Sequence, residues 1–283
     1  MQIVFSIITI ILIFTTIYSY GLLITNTIYK NQKTDFFFNI LIGYTLIGLI
    51  TVIFHFFLEI NNYFSLILII VGILIFISNY IKIEKKEFIQ FALIIVLLSF
   101  ILFAFSEHPI DANMYHHPYV AYLKSEKIIF AVANLQFRFG HISLLQYAQA
   151  AVTNNFFHEI SLASLNIIFY ICFIFFFLKE ILGTKHISIV FIIKILLVSF
   201  ILIKFARYRE HGNDLIPLLV SVYFFIKIIS LDKYNKIDCY KYLYLALPYA
   251  AFMFLHKISY VFTCLIFLSL FSLYKFQTRK IIN

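Results

Sequence analysis

The chain has 283 residues, of which 63% are hydrophobic and only 12% are charged, and its mean hydropathy is +0.97. Because soluble globular domains carry about 25% charged residues, this composition excludes a soluble enzyme or binding domain and indicates an integral membrane protein. The formal net charge of +9 suggests nucleic acid as an alternative partner. The basic residues, however, lie in short segments between apolar runs rather than in one patch with interleaved aromatics, so we predict no nucleic-acid partner.

Apolar runs of about 17 to 25 residues, long enough to cross the hydrocarbon core of a bilayer, recur along the whole chain. The first run lacks the charged start and small-residue cleavage site of a signal peptide, so we expect it to be retained. We predict an all-α, polytopic fold with about nine spans in a single membrane domain over residues 1–283. The predicted spans are Ile3–Thr25, Phe36–Leu58, Tyr63–Ile81, Phe88–Phe105, Ile160–Leu178, Ile187–Ile203, Asp214–Ser230, Tyr242–Leu255 and Ile258–Tyr274.

Basic residues are unevenly divided between the two sets of alternating loops, and this division predicts the orientation. The loops richer in Lys and Arg, such as those around residues 82–86 and 233–241, are expected to be cytoplasmic. This places the N-terminus outside and the C-terminus inside the cytoplasmic membrane. Most histidines then lie on the outer side, namely His55, His108, His116, His117, His141, His158, His211 and His256.

The longest loop, residues 106–159, follows the fourth predicted span and is expected to lie outside the membrane. It begins with the polar stretch SEHPIDANMYHHPYVAYLKSEKIIFAVANLQFRFG. A polar segment held at the membrane surface can act on a polar substrate, so we predict an outward-facing functional site here. Apolar residues recur at helical spacing and predict amphipathic helices lying on the outer surface. These residues are Met114, Val120, Leu123, Ile142, Leu145, Ala148 and Val152.

Two carboxylates, Glu107 and Asp111, lie four residues apart at the start of this loop. Either carboxylate suits a general base or a ligand of a divalent metal ion. Pro109 between them favours a turn over a shared helical face. Asp111 also suits the N-cap of a helix that begins at the next residue, and capping does not exclude catalysis.

The histidine pair His116 and His117 is a weaker signal for a metal. Adjacent residues on a helix diverge by about 100°, so the two imidazoles do not readily bind one ion. His108, Asp111 and His116 could still assemble a metal site in space. The sequence leaves the cofactor open between a divalent metal and none, with hydrogen bonding at the membrane interface as the alternative role.

Arg138 lies between two phenylalanines in the segment Asn134–Gly140. Because a guanidinium binds oxyanions bidentately, Arg138 suits the phosphate or pyrophosphate of a lipid-linked substrate. The alternative is that its side chain reaches up to the lipid headgroups without binding a substrate.

A second basic segment, KFARYREHGND at residues 204–214, joins two spans on the same predicted outer side. Its cations run against the positive-inside tendency, and a bound anionic lipid phosphate would compensate for that cost. The alternative is that its acids neutralise the arginines and the segment only anchors the loop. The candidate binding residues are Arg207, Arg209, His211 and Asp214, with Lys257 at the tip of the last hairpin.

Lys194 is the one cation well inside a predicted span. An ionisable residue within the membrane suggests a functional site. The sequence shows no acidic partner for it in the neighbouring spans, and a tilted span is the alternative explanation.

The outer segments resemble the polytopic glycosyltransferases of the GT-C superfamily, and within it uncharacterised bacterial membrane proteins of surface-polysaccharide type. The resemblance covers about Ser106 to Asp214. The residues that carry it are Asp111-Ala-Asn-Met-Tyr115-His116-His117-Pro118, Lys127-Ile-Ile-Phe130, Asn134-Leu-Gln-Phe-Arg138-Phe-Gly140 and Arg207-Tyr-Arg209-Glu-His-Gly-Asn-Asp214.

The resemblance implies a catalytic base in the first large outer loop, a polyprenyl-phosphate-type sugar donor and a glycan or lipid acceptor. It assigns the base to Asp111, with Glu107 and His116 as further catalytic candidates. It makes Arg138, Arg207 and Arg209 candidate ligands of the donor phosphate. The remaining candidates for substrate binding are His117, His211, Asp214 and Lys257.

Two other functions stay open. A transporter or exporter of lipid-linked saccharide would show polar residues near the midplane, inverted repeats and broken helices, and apart from Lys194 the predicted spans are poor in these features. A non-catalytic membrane subunit would use the outer polar residues for anchoring alone.

Overall fold

The computed structural model describes residues 2–28, 34–80, 85–104, 112–128, 131–134, 139, 143–154, 161–183, 188–208, 213–230, 245–246, 249–250, 252–253, 256, 260–269 and 272. Every regular element in these ranges is a helix. The α-helices through residue 230 are α1 Gln2–Ile28, α2 Phe36–His55, α3 Asn62–Tyr80, α4 Lys85–Ala104, α5 His117–Ser125, α6 Leu144–Val152, α7 Ser161–Leu182, α8 Ile189–Tyr208 and α9 Leu215–Ser230. Residues Ala112–His116 form a π-helical turn and Val132–Asn134 a 3₁₀ turn.

Four described helical segments are long and apolar enough to cross a membrane, and they confirm an all-helical integral membrane protein. These segments correspond to the first, second, third and fifth predicted spans. Most of their first and last residues differ from the predicted ones by only a few positions. Helices α8 and α9 contain the shorter apolar segments Ile189–Ile203 and Leu215–Ser230. The four segments are Ile7–Ile28, Phe36–His55, Asn62–Asn79 and Ser164–Leu182.

The chain divides into two compact units, and the first contains residues 1–179 and 208–212. In this unit α1 packs against α2, α3 and α4. Glycines allow the first contact to be close: a Cβ at Gly21 would lie 1.9 Å from the Asn39 carbonyl oxygen, and one at Gly43 would lie 1.8 Å from that of Ile17. Since small residues let membrane helices bring their backbones together, these glycines fix the α1–α2 pair.

Helix α2 is held firmly at its N-terminal end. Its N-cap Asp35 accepts a hydrogen bond from the Phe38 backbone N–H at 2.9 Å, which satisfies one of the free donors of the first turn. The next turn packs against α7, where the Phe37 ring meets the rings of Phe169 and Phe173 edge to face at centroid distances of 5.9 and 5.6 Å. The far end of α2, at His55, therefore projects from a fixed helix.

The second unit contains residues 180–207 and 213–283. Helix α9 packs here against the later helical residues: the Ser221 hydroxyl lies 3.0 Å from the Met253 sulfur, and the Phe224 ring contacts that of Tyr249. The Tyr260 hydroxyl donates to the Asp214 carbonyl oxygen at 2.9 Å, just before α9 begins. These contacts join residues on both sides of the 231–244 segment.

Candidate functional site

The described part of the long polar loop folds onto the end of the α2–α3 hairpin. We call residues 112–154 of this part the cap. The Ile60 N–H donates to the Leu123 carbonyl at 3.2 Å, and the Ile128 N–H donates to the His55 carbonyl at 3.3 Å. The Asn154 amide also donates to the Asn62 carbonyl at 3.0 Å. The cap is therefore tied to the hairpin by two backbone hydrogen bonds and by the side-chain amide of Asn154.

Helix α6 forms the inner layer of the cap. It begins with a capping box, in which the Ser143 hydroxyl accepts from the backbone of the first turn while the Gln146 side chain accepts from the Ser143 N–H at 3.3 Å. Every residue from Leu144 to Val152 is buried, and the helix contacts α2, α3 and α5. The predicted helix is present, but the expectation that it lies on the membrane surface is wrong. Its small Ala residues allow neighbours to cover it on all sides.

Helix α5 forms the outer layer of the cap. Tyr119, Val120 and Leu123 are buried against Ile60 and Ala150, which confirms the apolar face predicted for this helix. Met114, predicted on the same face, is instead 59% exposed. It lies in the π turn, where the wider helical repeat breaks the 3.6-residue spacing on which that prediction depended.

A chain of three uncharged side chains crosses the inside of the cap. The His55 Nε2 lies 2.9 Å from the Glu126 carbonyl oxygen, and its Nδ1 lies 3.3 Å from the Tyr147 hydroxyl. Because a carbonyl can only accept, Nε2 carries the hydrogen and Nδ1 accepts from Tyr147. The Tyr147 hydroxyl in turn is hydrogen-bonded to Tyr119. This chain of hydrogen bonds links the end of α2 to both cap helices.

Burial keeps both tyrosines of this chain protonated. Burial raises the pKa of Tyr147 to about 12 and raises the pKa of Tyr119 further, with smaller contributions from the neighbouring tyrosines. Burial, followed by the nearby Glu126 carboxylate, also raises the pKa of Tyr122. The cap therefore presents hydroxyl donors, not phenolates, at neutral pH.

Lys124 lies at the C-terminal end of α6. Its Nζ donates to the Thr153 carbonyl oxygen at 2.5 Å, and the Ser65 hydroxyl donates to the same oxygen at 3.2 Å. A cation beside the last carbonyls of a helix is favourable because the helix dipole is negative there. Burial lowers the pKa of the Lys124 ammonium to about 8. The sequence gives no sign that His55, Tyr147 and the α5 residues Tyr119 and Lys124 lie together, because they come from three separate helices.

The predicted site residues that the structure describes are His116, His117 and Asp214. His116 is 4% exposed and its ring lies 4.1 Å from that of Tyr115, while His117 is partly buried on the next position. Tyr119 follows His116 by three residues, so the hydrogen-bond chain ends about one turn from this histidine. His116 and His117 belong to the first unit, and Asp214, partly buried before α9, belongs to the second.

The other predicted site residues lie outside what the structure describes. Arg207 is within α8, but its side chain is not described. Among the described residues there is no group of three or more His, Cys, Asp and Glu side chains that could hold a metal ion. The residues outside the described ranges are Glu107, Asp111, Arg138, Arg209, His211 and Lys257.

A second polar cluster lies within the second unit, and we call Glu180, Lys194 and Lys227 the Glu180 cluster. The Lys194 Nζ donates to one carboxylate oxygen of Glu180 at 3.1 Å, and the Lys227 Nζ donates to the other at 3.3 Å. The absence of an acidic partner for Lys194, expected from the sequence, is wrong. Glu180 was missed because it follows the end of the predicted fifth span, whereas α7 continues to Leu182.

A protein-family model described as a domain of unknown function, DUF8201, matches residues 3–283, which is almost the whole chain. No curated protein and no solved structure matches this chain.

Proposed function

The chain belongs to the DUF8201 family, and we propose that it is an inverting glycosyltransferase of the GT-C type. It moves a sugar from a polyprenyl-phosphate-type lipid donor to a glycan or lipid acceptor on the outer face of the cytoplasmic membrane. The proposal includes the predicted topology of about nine spans, with the N-terminus outside and the C-terminus in the cytoplasm. The observation that carries it is the folded cap, which gives the polar loop a buried, hydrogen-bonded support.

The cap supports a catalytic role for the segment around Asp111 because a reacting group must be held in place. The π turn Ala112–His116 begins at the residue after Asp111. Such turns are rare and occur frequently at functional sites. His116 on this turn is buried, and the His55–Tyr147–Tyr119 chain fixes the helix that follows. Effective catalysis requires reacting groups within a fraction of an ångström of the productive geometry, which a rigid support provides.

In the proposed reaction Asp111 takes the proton from the acceptor hydroxyl. The acceptor oxygen forms a bond to the anomeric carbon as the bond from that carbon to the donor phosphate breaks, so the configuration inverts. Arg138, Arg207 and Arg209 stabilise the charge that develops on the leaving phosphate. Glu107 and His116 are the further catalytic candidates, and His117, His211, Asp214 and Lys257 are assigned to substrate binding.

Asp111→Asn tests the proposal. The amide keeps the size of the side chain but cannot accept the proton, so we expect transfer from a labelled polyprenyl-phosphate sugar to fall at least about 100-fold in proteoliposomes. The control is Glu59→Gln, which makes the same change at an exposed position. Full transfer activity in Asp111→Asn would exclude Asp111 as the base.

Transport or export of a lipid-linked saccharide is the second candidate, and the Glu180 cluster favours it. Charged side chains within apolar helices mark substrate and ion pathways in many transporters. Movement of a labelled lipid-linked saccharide across vesicles, without covalent transfer of the sugar, would favour this function over glycosyl transfer. Replacing Lys194 by Met should then abolish movement, whereas Asp111→Asn should leave it intact.

A further inference from the structure

Lys194 of the Glu180 cluster is a buried ammonium with few partners. Its side chain is 5% exposed on the apolar helix α8. Among the residues that the structure describes, the Glu180 carboxylate is the one acceptor within hydrogen-bonding distance of its Nζ. An ammonium has three N–H donors, so two of them find no acceptor among these side chains and carbonyls. Leaving such donors unfilled within a membrane helix is costly, and a further acceptor would relieve that cost.

The geometry of the cluster holds a second cation beside Lys194. Lys227 donates to the other oxygen of the same carboxylate, so one Glu180 side chain separates the two ammonium groups. Lys227 and Glu180 are more exposed than Lys194, at 16% and 23% of their side chains. The cluster is thus open on the side of Lys227 and Glu180, and a ligand can approach from there.

The surroundings of the cluster are suited to lipid. Helix α8 exposes Ile195, the residue after Lys194, and exposes Ile192 and Leu196 farther round the same helix. Exposed apolar side chains beside a membrane-spanning helix provide a surface for acyl or prenyl chains. A molecule that satisfies both features carries an anionic head and an apolar tail.

We propose that Lys194 and Lys227 bind the phosphate group of a membrane lipid, with Glu180 holding the two lysines in position. The phosphate oxygens accept from the N–H donors of Lys194 that Glu180 does not use, and lysine is a common point-charge ligand of phosphate. The lipid tail lies against the exposed apolar side chains of α8. The binding site is separate from the residues assigned to glycosyl transfer, so it does not depend on that function.

A pair of lipids that differ only in phosphate tests the wild-type chain. We expect dioleoyl phosphatidic acid to raise the thermal midpoint of the purified full-length protein by several degrees, whereas dioleoylglycerol, with the same tails, leaves it unchanged. Equal shifts with both lipids would overturn the proposal. Inorganic phosphate at the same concentration forms the third arm. A full shift with inorganic phosphate alone would support the anion site but assign it to a free phosphate.

Two substitutions identify the residues. Lys194→Met should lose the shift with phosphatidic acid, and Lys179→Met, which removes an exposed lysine beside Glu180, should keep it. Glu180→Gln should keep most of it, because both ammonium groups remain and the amide oxygen still accepts from one of them. A normal shift in Lys194→Met would show that Lys194 serves only to pair with Glu180 and would overturn the proposal. If Lys194→Met does not fold, Lys227→Met provides the same test.

Failure of this proposal is distinguishable from failure of the glycosyl-transfer proposal. Lipid binding is measured without any transfer reaction, and Asp111→Asn should bind phosphatidic acid as the wild type does. Loss of the lipid effect in Asp111→Asn would place the phosphate away from the Glu180 cluster and overturn the assignment.

Discussion

The cap and the Glu180 cluster both bury polar side chains, but they satisfy them in different ways. In the cap, the neutral side chains of Tyr147 and Tyr119 bond to each other and to His55 of α2, which also bonds to the Glu126 carbonyl. In the Glu180 cluster, one carboxylate and two ammonium groups meet between apolar helices. A hydrogen-bonded neutral network orders the groups that it joins at modest cost, whereas buried charges cost several kcal/mol each before their attraction is counted.

The difference indicates what each region contributes. The cap orders an irregular segment of chain, because each of its hydrogen bonds ties a loop or a short helix to the α2–α3 hairpin. The Glu180 cluster is not needed to order α7, α8 and α9, which are regular helices with their own backbone hydrogen bonds. Its charges therefore require another explanation, and ligand binding or transport provides one.

The largest effect should come from removing the shared carboxylate of the Glu180 cluster. Glu180→Leu leaves Lys194 charged and without its partner, and we expect a loss of about 3 to 5 kcal/mol in the free energy of unfolding. Chemical unfolding of the detergent-solubilised chain measures it. Replacing all three charged residues by Leu and Met should recover most of the loss, because no unpaired charge remains. If the single and triple substitutions cost the same, the two lysines do not depend on Glu180.

The second effect tests how closely the cap is packed on the bundle. A Cβ at Gly48 would lie 2.6 Å from Cγ of Leu144, the first residue of α6. Gly48→Ala should therefore destabilise the chain by about 2 kcal/mol through overpacking. Leu144→Ala removes the clashing atoms, so the double substitution should lose less than the sum of the two single ones. Additive losses, measured by the same unfolding assay, would show that α6 does not rest on α2 at this point.

The sequence was sufficient to predict most of the membrane helices. Long apolar runs are recognisable without any tertiary information, and the predicted starts at Phe36 and Tyr63 agree with helices that begin at Phe36 and Asn62. Glu180 shows the limit of this approach. An apolar window ends at the first charge, whereas the helix continues as long as its backbone hydrogen bonds do, so a residue assigned to a loop proved to lie in α7.

The arrangement of the cap could not be predicted because its contacts join distant parts of the chain. His55 and Tyr147 are 92 residues apart, and no local pattern indicates that they meet. The helical period of residues 144–152 was visible, but period alone does not show whether a helix lies on a surface or inside. That difference depends on neighbours: Gly48 leaves room for Leu144, and the alanines of α6 leave room for α3 and α5.

The third effect concerns the neutral network of the cap. Tyr147→Phe keeps the ring but removes the hydroxyl that links Tyr119 to His55, so Nδ1 of the buried His55 loses its donor. We expect a loss of about 1.5 kcal/mol, smaller than in Glu180→Leu because no charge is left unpaired. Tyr63→Phe removes a hydroxyl from a side chain that is 76% exposed and should cost less than about 0.5 kcal/mol. Equal losses of unfolding free energy for the two substitutions would show that the hydrogen bonds of Tyr147 do not stabilise the cap.

The smallest effect is a pH dependence that arises from Lys124, the partly buried lysine of the cap. Burial lowers the pKa of its ammonium in the folded protein from 10.5 to about 8, so between these values the unfolded chain binds more protons and stability rises with pH. The cost of holding the charge is fully present below about pH 8 and is relieved above it. We expect the free energy of unfolding to rise by about 1 kcal/mol between pH 7.5 and 9.

Lys124→Met should remove this rise, and Lys127→Met, at an exposed position, should retain it. A rise that persists in Lys124→Met would assign it to other groups. Its loss would show that the cap, like the Glu180 cluster, holds a buried cation at a cost, but one that is relieved at a moderately alkaline pH.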